Sequence, residues 1–161
     1  MQFPGLLAFD TLLAAFSRRL QPVLLLLIRG WWGWSFFLTG KGKLLNLDRT
    51  AEYFAGLYLP LPALHAGLAG GVECLGGLLL LVGLCSRLAS VPLIVTMLVA
   101  FATAEREALF ALASDPDKFT GATPFPFLLA CLVVLAFGPG RLSLDQWLAR
   151  RYNPPAPVVR E

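Results

Sequence analysis

The sequence predicts an all-α membrane protein: a polytopic four-helix bundle with short amphipathic helices at the membrane interface. Hydrophobic residues make up 57% of the 161-residue chain and charged residues 14%, with a mean hydropathy of +0.71. A soluble domain of this size cannot hide so much apolar surface in one core. Four apolar runs of helical length also follow one another along the chain. We expect one membrane domain over residues 1–152 and a disordered, Pro-rich tail over residues 153–161.

The four spans are expected at about residues 20–38, 64–84, 88–104 and 124–137. The second span is long enough to cross a bilayer at about 1.5 Å per residue. The fourth is only about 21 Å long by the same rise, so it must be held by its neighbours or enter with its flanking turns. Only a tight turn separates the second span from the third, so these two helices should be antiparallel neighbours.

Three further helices are expected outside the spans. Residues 1–20 carry apolar side chains at steps of three and four, which is typical of an interfacial amphipathic helix. Residues 39–62 are too polar to span and should hold a short lid helix, capped by Asp48, with Phe54 and Tyr58 on one side. Ser143 and Gln146 form a capping box that begins a surface helix. The third span is expected to continue as a helix as far as Ser114, before Pro116.

The charges indicate membrane orientation. The net charge is +3, and most basic residues flank apolar runs instead of clustering on one face, which argues against nucleic-acid binding. Lys and Arg number seven on the side that holds the termini and the tight turn, against five on the other side. The positive-inside rule therefore places both termini in the cytoplasm.

The cysteines and the single histidine do not form a metal site. Cys74, Cys85 and Cys131 make no CxxC motif and no metal-type spacing with His65. We interpret them as small apolar packing residues. A pair between Cys74 and Cys131 stays open as an alternative.

Glu73 is the central candidate for a functional site because it lies in the middle of the second span. Small residues surround it at helical spacing, so this face should pack against another helix, and Gly67 and Gly71 form a GxxxG step. An intramembrane carboxylate is costly and marks a functional site whose partner should be named. Arg29 lies at a similar depth in the first span, so we predict that Arg29 and Glu73 pair. Two interpretations stay open: a structural ion pair that fixes helix register, and a site that binds a ligand or handles protons.

Further residues are candidates for this site. Trp34 and Phe37 follow Arg29 and can pack against a ring, whereas Trp31 and Trp32 are interpreted as interfacial belt residues. His65 lies near the outer mouth, either as an interfacial hydrogen-bonding residue or as a ligand. Lys41 and Lys43, just after the first span, are either snorkelling anchors or part of the site.

The order of these features resembles the DoxX family of small bacterial membrane proteins over about residues 22–148. The resemblance is carried by Arg29-Gly30, Phe37, Gly40, Lys41-Gly42-Lys43-Leu44, Glu73 with Gly76, Gly77 and Gly83, Arg87, and the segment from Gly138 to Asp145. It implies a four-helix protein of the bacterial plasma (inner) membrane linked to respiratory or oxidative-stress redox chemistry. Relatives include a subunit associated with quinone-linked thiosulfate oxidation and members that partner soluble oxidant-defence and sulfur-transfer enzymes. The resemblance supplies no confirmed catalytic residues.

Three functions are compatible with these observations. The first is the membrane subunit of a redox complex, quinone-linked or thiol/sulfur-linked, in which Arg29 and Glu73 serve a quinone head group. The sequence has no haem, flavin or iron–sulfur signature, so it predicts no intrinsic cofactor and electrons supplied by a soluble partner. If the chain is part of an enzyme, it is a subunit of a quinone-linked oxidoreductase. The second function is a non-catalytic scaffold for partner proteins, and the third is a carrier for a small acid or lipid.

Overall fold

The computed structural model describes the backbone of residues 4–152, and over that range it consists of helices and loops without a strand. The predicted all-α class is therefore confirmed, while the tail predicted over residues 153–161 lies outside the described residues. The helices are α1 (Pro4–Leu45), α2 (Leu47–Gly56), α3 (Pro62–Val82), α4 (Ser86–Thr103), α5 (Arg106–Phe110), α6 (Pro116–Gly121), α7 (Pro124–Phe137) and α8 (Leu144–Tyr152).

The first helix is much longer than predicted. α1 runs for 42 residues without a break, about 63 Å by helical rise, so no loop separates the predicted interfacial helix from the first span. The loop predicted from Thr39 is also wrong, because the helix continues through Gly40 and Gly42 to Leu45. Gly40 packs directly on α3, and this tertiary contact outweighs the low helix propensity of glycine.

The other long helices lie close to their predicted bounds. α1, α3 and α4 are long and apolar enough to cross a membrane, and α7 is a shorter apolar helix. α3 ends at Gly83, whose φ of 75° is left-handed, and the N–H of Leu84 donates to the Leu79 carbonyl at 2.9 Å. This reversal makes α3 and α4 antiparallel neighbours, as the tight turn predicted.

Glycines bring the backbones of α1 and α3 into contact. A Cβ atom on Gly77 would lie 2.5 Å from the Phe37 nitrogen, and one on Gly40 would lie 2.7 Å from the Gly70 carbonyl oxygen. The predicted close approach on the Glu73 face is thus confirmed. The GxxxG step of Gly67 and Gly71 does not make this contact, since a Cβ on either would meet nothing within 4 Å. The register places Gly40 opposite the segment 70–74 of α3.

The core lies between the four apolar helices. It is formed by buried side chains from α1, α3, α4 and α7, which are Phe36, Leu80, Leu93, Met97, Cys131 and Val134. The rings of Phe36 and Phe127 meet edge to face at 4.7 Å. A second cluster packs Ala108 of α5 against Phe101 of α4. The chain turns after Thr103, where α4 ends, so that Ala108 packs against Phe101. The predicted continuation of this helix to Ser114 is therefore wrong.

The two peripheral helices are partly as predicted. α2 forms where a lid helix was expected, but Asn46 occupies its N-cap position and Asp48 lies in the first turn. Tyr58 falls beyond the helix end with a positive φ of 59° and is almost fully exposed, so its predicted place beside Phe54 is wrong. At α8 the N–H of Gln146 donates to Ser143 Oγ at 3.2 Å, which confirms the predicted cap.

Candidate functional site

Glu73 pairs with Lys43. The Lys43 Nζ donates to both carboxylate oxygens at 2.5 Å. Glu73 is 1% exposed, whereas the Lys43 side chain is 30% exposed. The predicted pairing of Glu73 with Arg29 is therefore wrong.

The register of α1 against α3 explains the change of partner. Glu73 lies opposite Gly40, and Arg29 is eleven residues earlier on α1, about 16 Å away along the helix axis. Lys43 follows Gly40 by three residues, and helical side chains lean toward the N-terminus, so its ammonium group returns to the level of Glu73. The depth comparison from sequence counted Arg29 from a span end assumed at Leu20 and Glu73 from one assumed at Leu64, and the observed contact of Gly40 with segment 70–74 shows that these two levels do not match.

Arg29 instead joins three segments at the other end of the bundle. It is 1% exposed, and its Nη2 donates to the Leu142 carbonyl at 2.7 Å. Its guanidinium lies against Gly83, where any Cβ would collide with it. Nearby, the Asp145 carboxylate accepts from the backbone N–H groups of Cys85 and Ser86 at 2.8 and 3.3 Å. This cluster ties α1, the turn between α3 and α4, and the start of α8 together.

An apolar cavity of about 470 Å³ lies beside the Lys43–Glu73 pair. Side chains of α1, α2, α3, α4 and α7 line it, and aromatic rings, among them Phe36, Phe54 and Phe127, form part of its wall. The cavity is within the range of known small-molecule sites, which are mostly apolar with a few polar groups that orient the ligand. The Lys43–Glu73 pair supplies such a polar point, and His65 also reaches the wall.

The Lys43–Glu73 pair has a hydrogen-bond donor available for a ligand. An ammonium group carries three N–H donors, and the two bonds to Glu73 leave one Lys43 donor for another acceptor. Among the described residues Glu73 accepts side-chain hydrogen bonds from Lys43. The arrangement can therefore hold an oxygen of a lipophilic ligand against an otherwise apolar wall.

The structure brings only some of the predicted site residues together. Glu73 and His65 line the cavity, whereas Arg29, Trp34, Phe37 and Lys41 do not. Trp34 is half exposed and its ring lies 5.4 Å from that of Phe37, and Lys41 is exposed.

Sequence reasoning left Lys43 between an anchoring role and a role in the site, and it missed Phe36 and Thr39 as lining residues. A usable signal was present for Lys43 and Phe36. Phe36, Gly40 and Lys43 are spaced by four and three residues, so they share the face of α1 on which Gly33 and Gly40 meet α3.

The cysteines and possible metal ligands lie elsewhere. All three cysteines are free thiols, so the open alternative of a Cys74–Cys131 bond is not formed, and Cys131 is buried in the core. In the described part of the chain, no group of three His, Cys, Asp or Glu side chains is placed to hold a metal ion. The candidate site is thus the cavity with its ion pair.

Comparisons with known proteins agree with the sequence resemblance. The DoxX family model matches residues 24–106, which include the second half of α1, all of α2, α3 and α4, and both members of the ion pair. The chain is 32% identical over 131 residues to an uncharacterized membrane protein of Mycobacterium tuberculosis, covering 74% of this chain and 77% of that protein. No solved structure matches the chain significantly. The chain therefore belongs to the DoxX family of membrane proteins.

Proposed function

We propose that this chain is the membrane subunit of a redox complex and that the cavity beside Lys43 and Glu73 binds the head group of a quinone. The observation that carries the proposal is an apolar cavity of about 470 Å³ among α1, α2, α3, α4 and α7, with a hydrogen-bonding ion pair on its wall. A lipophilic ring fits such walls, and its carbonyl oxygen accepts the remaining N–H of Lys43.

The site's residues have distinct parts in this proposal. Lys43 holds a quinone oxygen, Glu73 keeps the ammonium group in place, and Phe36 and Phe127 pack against the ring. Conversion to the quinol adds two electrons and two protons to the quinone, and the protons come from water. Because the sequence has no haem, flavin or iron–sulfur signature, a soluble redox or sulfur-transfer protein supplies the electrons. The charge distribution supports an orientation in the bacterial inner membrane with cytoplasmic termini.

Quinone titration of the purified protein in lipid nanodiscs tests the site. Wild type should bind a short-tailed quinone saturably. The double variant Lys43→Gln/Glu73→Gln removes both charges, keeps the shape of the Glu73 side chain and places a shorter neutral side chain at position 43. Its affinity should fall about tenfold or more, equivalent to about 1.4 kcal/mol for loss of one charge-assisted hydrogen bond.

The matched control is Lys41→Gln, since Lys41 lies two residues away on α1 but outside the cavity. It should bind as wild type does. Equal binding by the double variant, with its thermal unfolding unchanged, would contradict the assignment of this cavity. If wild type does not bind the quinone, the proposal that quinone is the ligand is wrong.

A scaffold function is the second candidate, and one observation favours it. The ion pair lies at the tightest α1–α3 contact, beside Gly40 and Gly70, where it can fix helix register. If the protein is only a scaffold, the Lys43→Gln/Glu73→Gln variant should retain partner capture and complementation. The redox proposal predicts retained folding with lost complementation.

A further inference from the structure

The first part of α1 extends beyond the helical bundle. α3 ends beside Arg29, and Gly140 packs close to Leu25 and Pro22. Every residue from Phe9 to Gln21 is exposed. We call residues 4–21 the N-terminal arm.

The arm is too long to remain in the bilayer as a straight continuation of α1. The part of α1 from Pro22 to Leu45 has 24 residues, about 36 Å by helical rise, and already spans a hydrocarbon layer of ~30 Å. A straight arm would therefore enter water with Phe9 at 60% and Phe16 at 62% exposure. Pro22 lies inside α1 and has no N–H to donate to the Arg18 carbonyl, so the helix can bend there.

The apolar and charged residues of the arm lie on different faces. Phe9, Leu13, Phe16 and Leu20 are spaced by four and three residues and share one face, and Arg18 projects from the opposite face. Helices of this kind lie in a membrane surface, with their apolar face among the lipids and their basic residues at the headgroups.

α8 repeats this pattern at the same end of the molecule. Arg29 and Asp145 hold its start against the bundle, Trp147 is exposed on one side, and Arg150 and Arg151 are exposed at its end. The exposed arginines of the two elements and their neighbouring loops are Arg18, Arg19, Arg87, Arg141, Arg150 and Arg151. Among the residues that the structure describes, the acids of this end are Asp10 and Asp145, and the Asp145 carboxylate already accepts two backbone hydrogen bonds. The described surface therefore has an excess of positive charge.

We infer that the arm bends at Pro22 and lies beside α8 on an anionic phospholipid leaflet, with the arginines at the lipid phosphates. The basic surface complements the negative potential of such a leaflet. This docking does not depend on the ligand of the cavity. It requires only the arm, its hinge and the charge of the lipid.

Site-specific fluorescence in nanodiscs tests the docking. Phe16→Cys is labelled with an environment-sensitive dye in a chain whose Cys74, Cys85 and Cys131 are replaced by serine, after its helical content is shown to equal that of wild type. Nanodiscs contain phosphatidylcholine alone or a 3:1 mixture with phosphatidylglycerol. The label should be quenched by spin-labelled lipid at least twofold more in the mixture than in phosphatidylcholine. A label at Ser17→Cys should stay more accessible to an aqueous quencher.

Charge variants separate the electrostatic part from apolar contact. Arg18→Gln/Arg19→Gln should reduce the phosphatidylglycerol effect at least twofold, and Arg49→Gln on α2 at the opposite end should leave it unchanged. Aqueous quenching at position 16 in both lipids would overturn the docking. Equal lipid quenching in both lipids would overturn the anionic specificity. Energy transfer between labelled copies, in place of lipid quenching, would overturn it in favour of a second copy of this chain.

Discussion

The glycine contact between α1 and α3 predicts a large difference in melting temperature between two glycine-to-alanine substitutions on α3. In Gly77→Ala the new Cβ would lie 2.5 Å from the Phe37 nitrogen and 2.7 Å from the Gly33 carbonyl oxygen. The first distance is about 0.9 Å shorter than the 3.4 Å at which ordinary contacts begin. Both neighbours are backbone atoms, so the two helices themselves must separate.

Gly71→Ala is the matched control, because its Cβ meets nothing within 4 Å. Both changes gain the same helix propensity, up to about 1 kcal/mol, so their difference isolates the clash. Overpacking typically costs about 1–3 kcal/mol, and at a backbone contact we expect the upper half of that range. For a protein of this size that is a melting temperature about 5–10 °C lower for Gly77→Ala than for Gly71→Ala.

Thermal unfolding followed by far-ultraviolet circular dichroism in one detergent measures this difference. Gly77→Ala should also weaken quinone binding, since α1 carries Lys43 and α3 carries Glu73. Equal melting temperatures for the two alanine variants would refute the register of α1 against α3. The position of the cavity rests on that register.

Three further predictions concern ionic contacts. Lys43→Met leaves a buried carboxylate unpaired and should lower the free energy of unfolding by about 3–5 kcal/mol. The Lys43→Gln/Glu73→Gln double variant should regain most of that lost stability. Equal losses of stability in thermal melts of the two variants would contradict this. Arg29→Met removes a charged hydrogen bond and should raise hydrogen exchange over residues 141–147, and unchanged exchange would contradict its role. The hydrogen bond from Lys118 at 2.9 Å holds the pKa of Glu107 below its usual value. The small stabilisation from this ion pair is present at neutral pH and should be lost as acid protonates Glu107. Glu107→Gln should remove this acid-dependent change in melting temperature.

Helix identity was predictable where strong local signals mark the ends. Thr123-Pro124 and Gly138 bracket α7, and its bounds match the prediction, because proline favours a first helical turn and glycine ends one. The end of α1 had no such marker. Gly40 and Gly42 suggested a break, but whether a glycine breaks a helix depends on what packs against it. That information lies in α3, far along the chain.

Only part of the candidate site was predictable, because the rest depends on packing between helices that are far apart in the sequence. Glu73 stands out because a carboxylate in an apolar helix surrounded by glycines needs a partner. Its partner depends on the register of two helices, and counting from an assumed span end shifted that register by several residues. The glycine stripe on α1 contained the missing constraint, since Gly33, Gly40 and Lys43 share one face.

Photochemical mapping of the bound ligand tests the central claim most directly. A photoreactive short-tailed quinone is bound to the protein in nanodiscs, and the labelled peptides are identified by mass spectrometry. Labels should concentrate on the cavity wall, in residues 36–43 of α1, 65–73 of α3 and 95–103 of α4, and excess unlabelled quinone should compete them away. Labelling that concentrates around Arg29 and Leu142, or that spreads evenly over the lipid-facing surface without competition, would contradict a quinone site at Lys43 and Glu73.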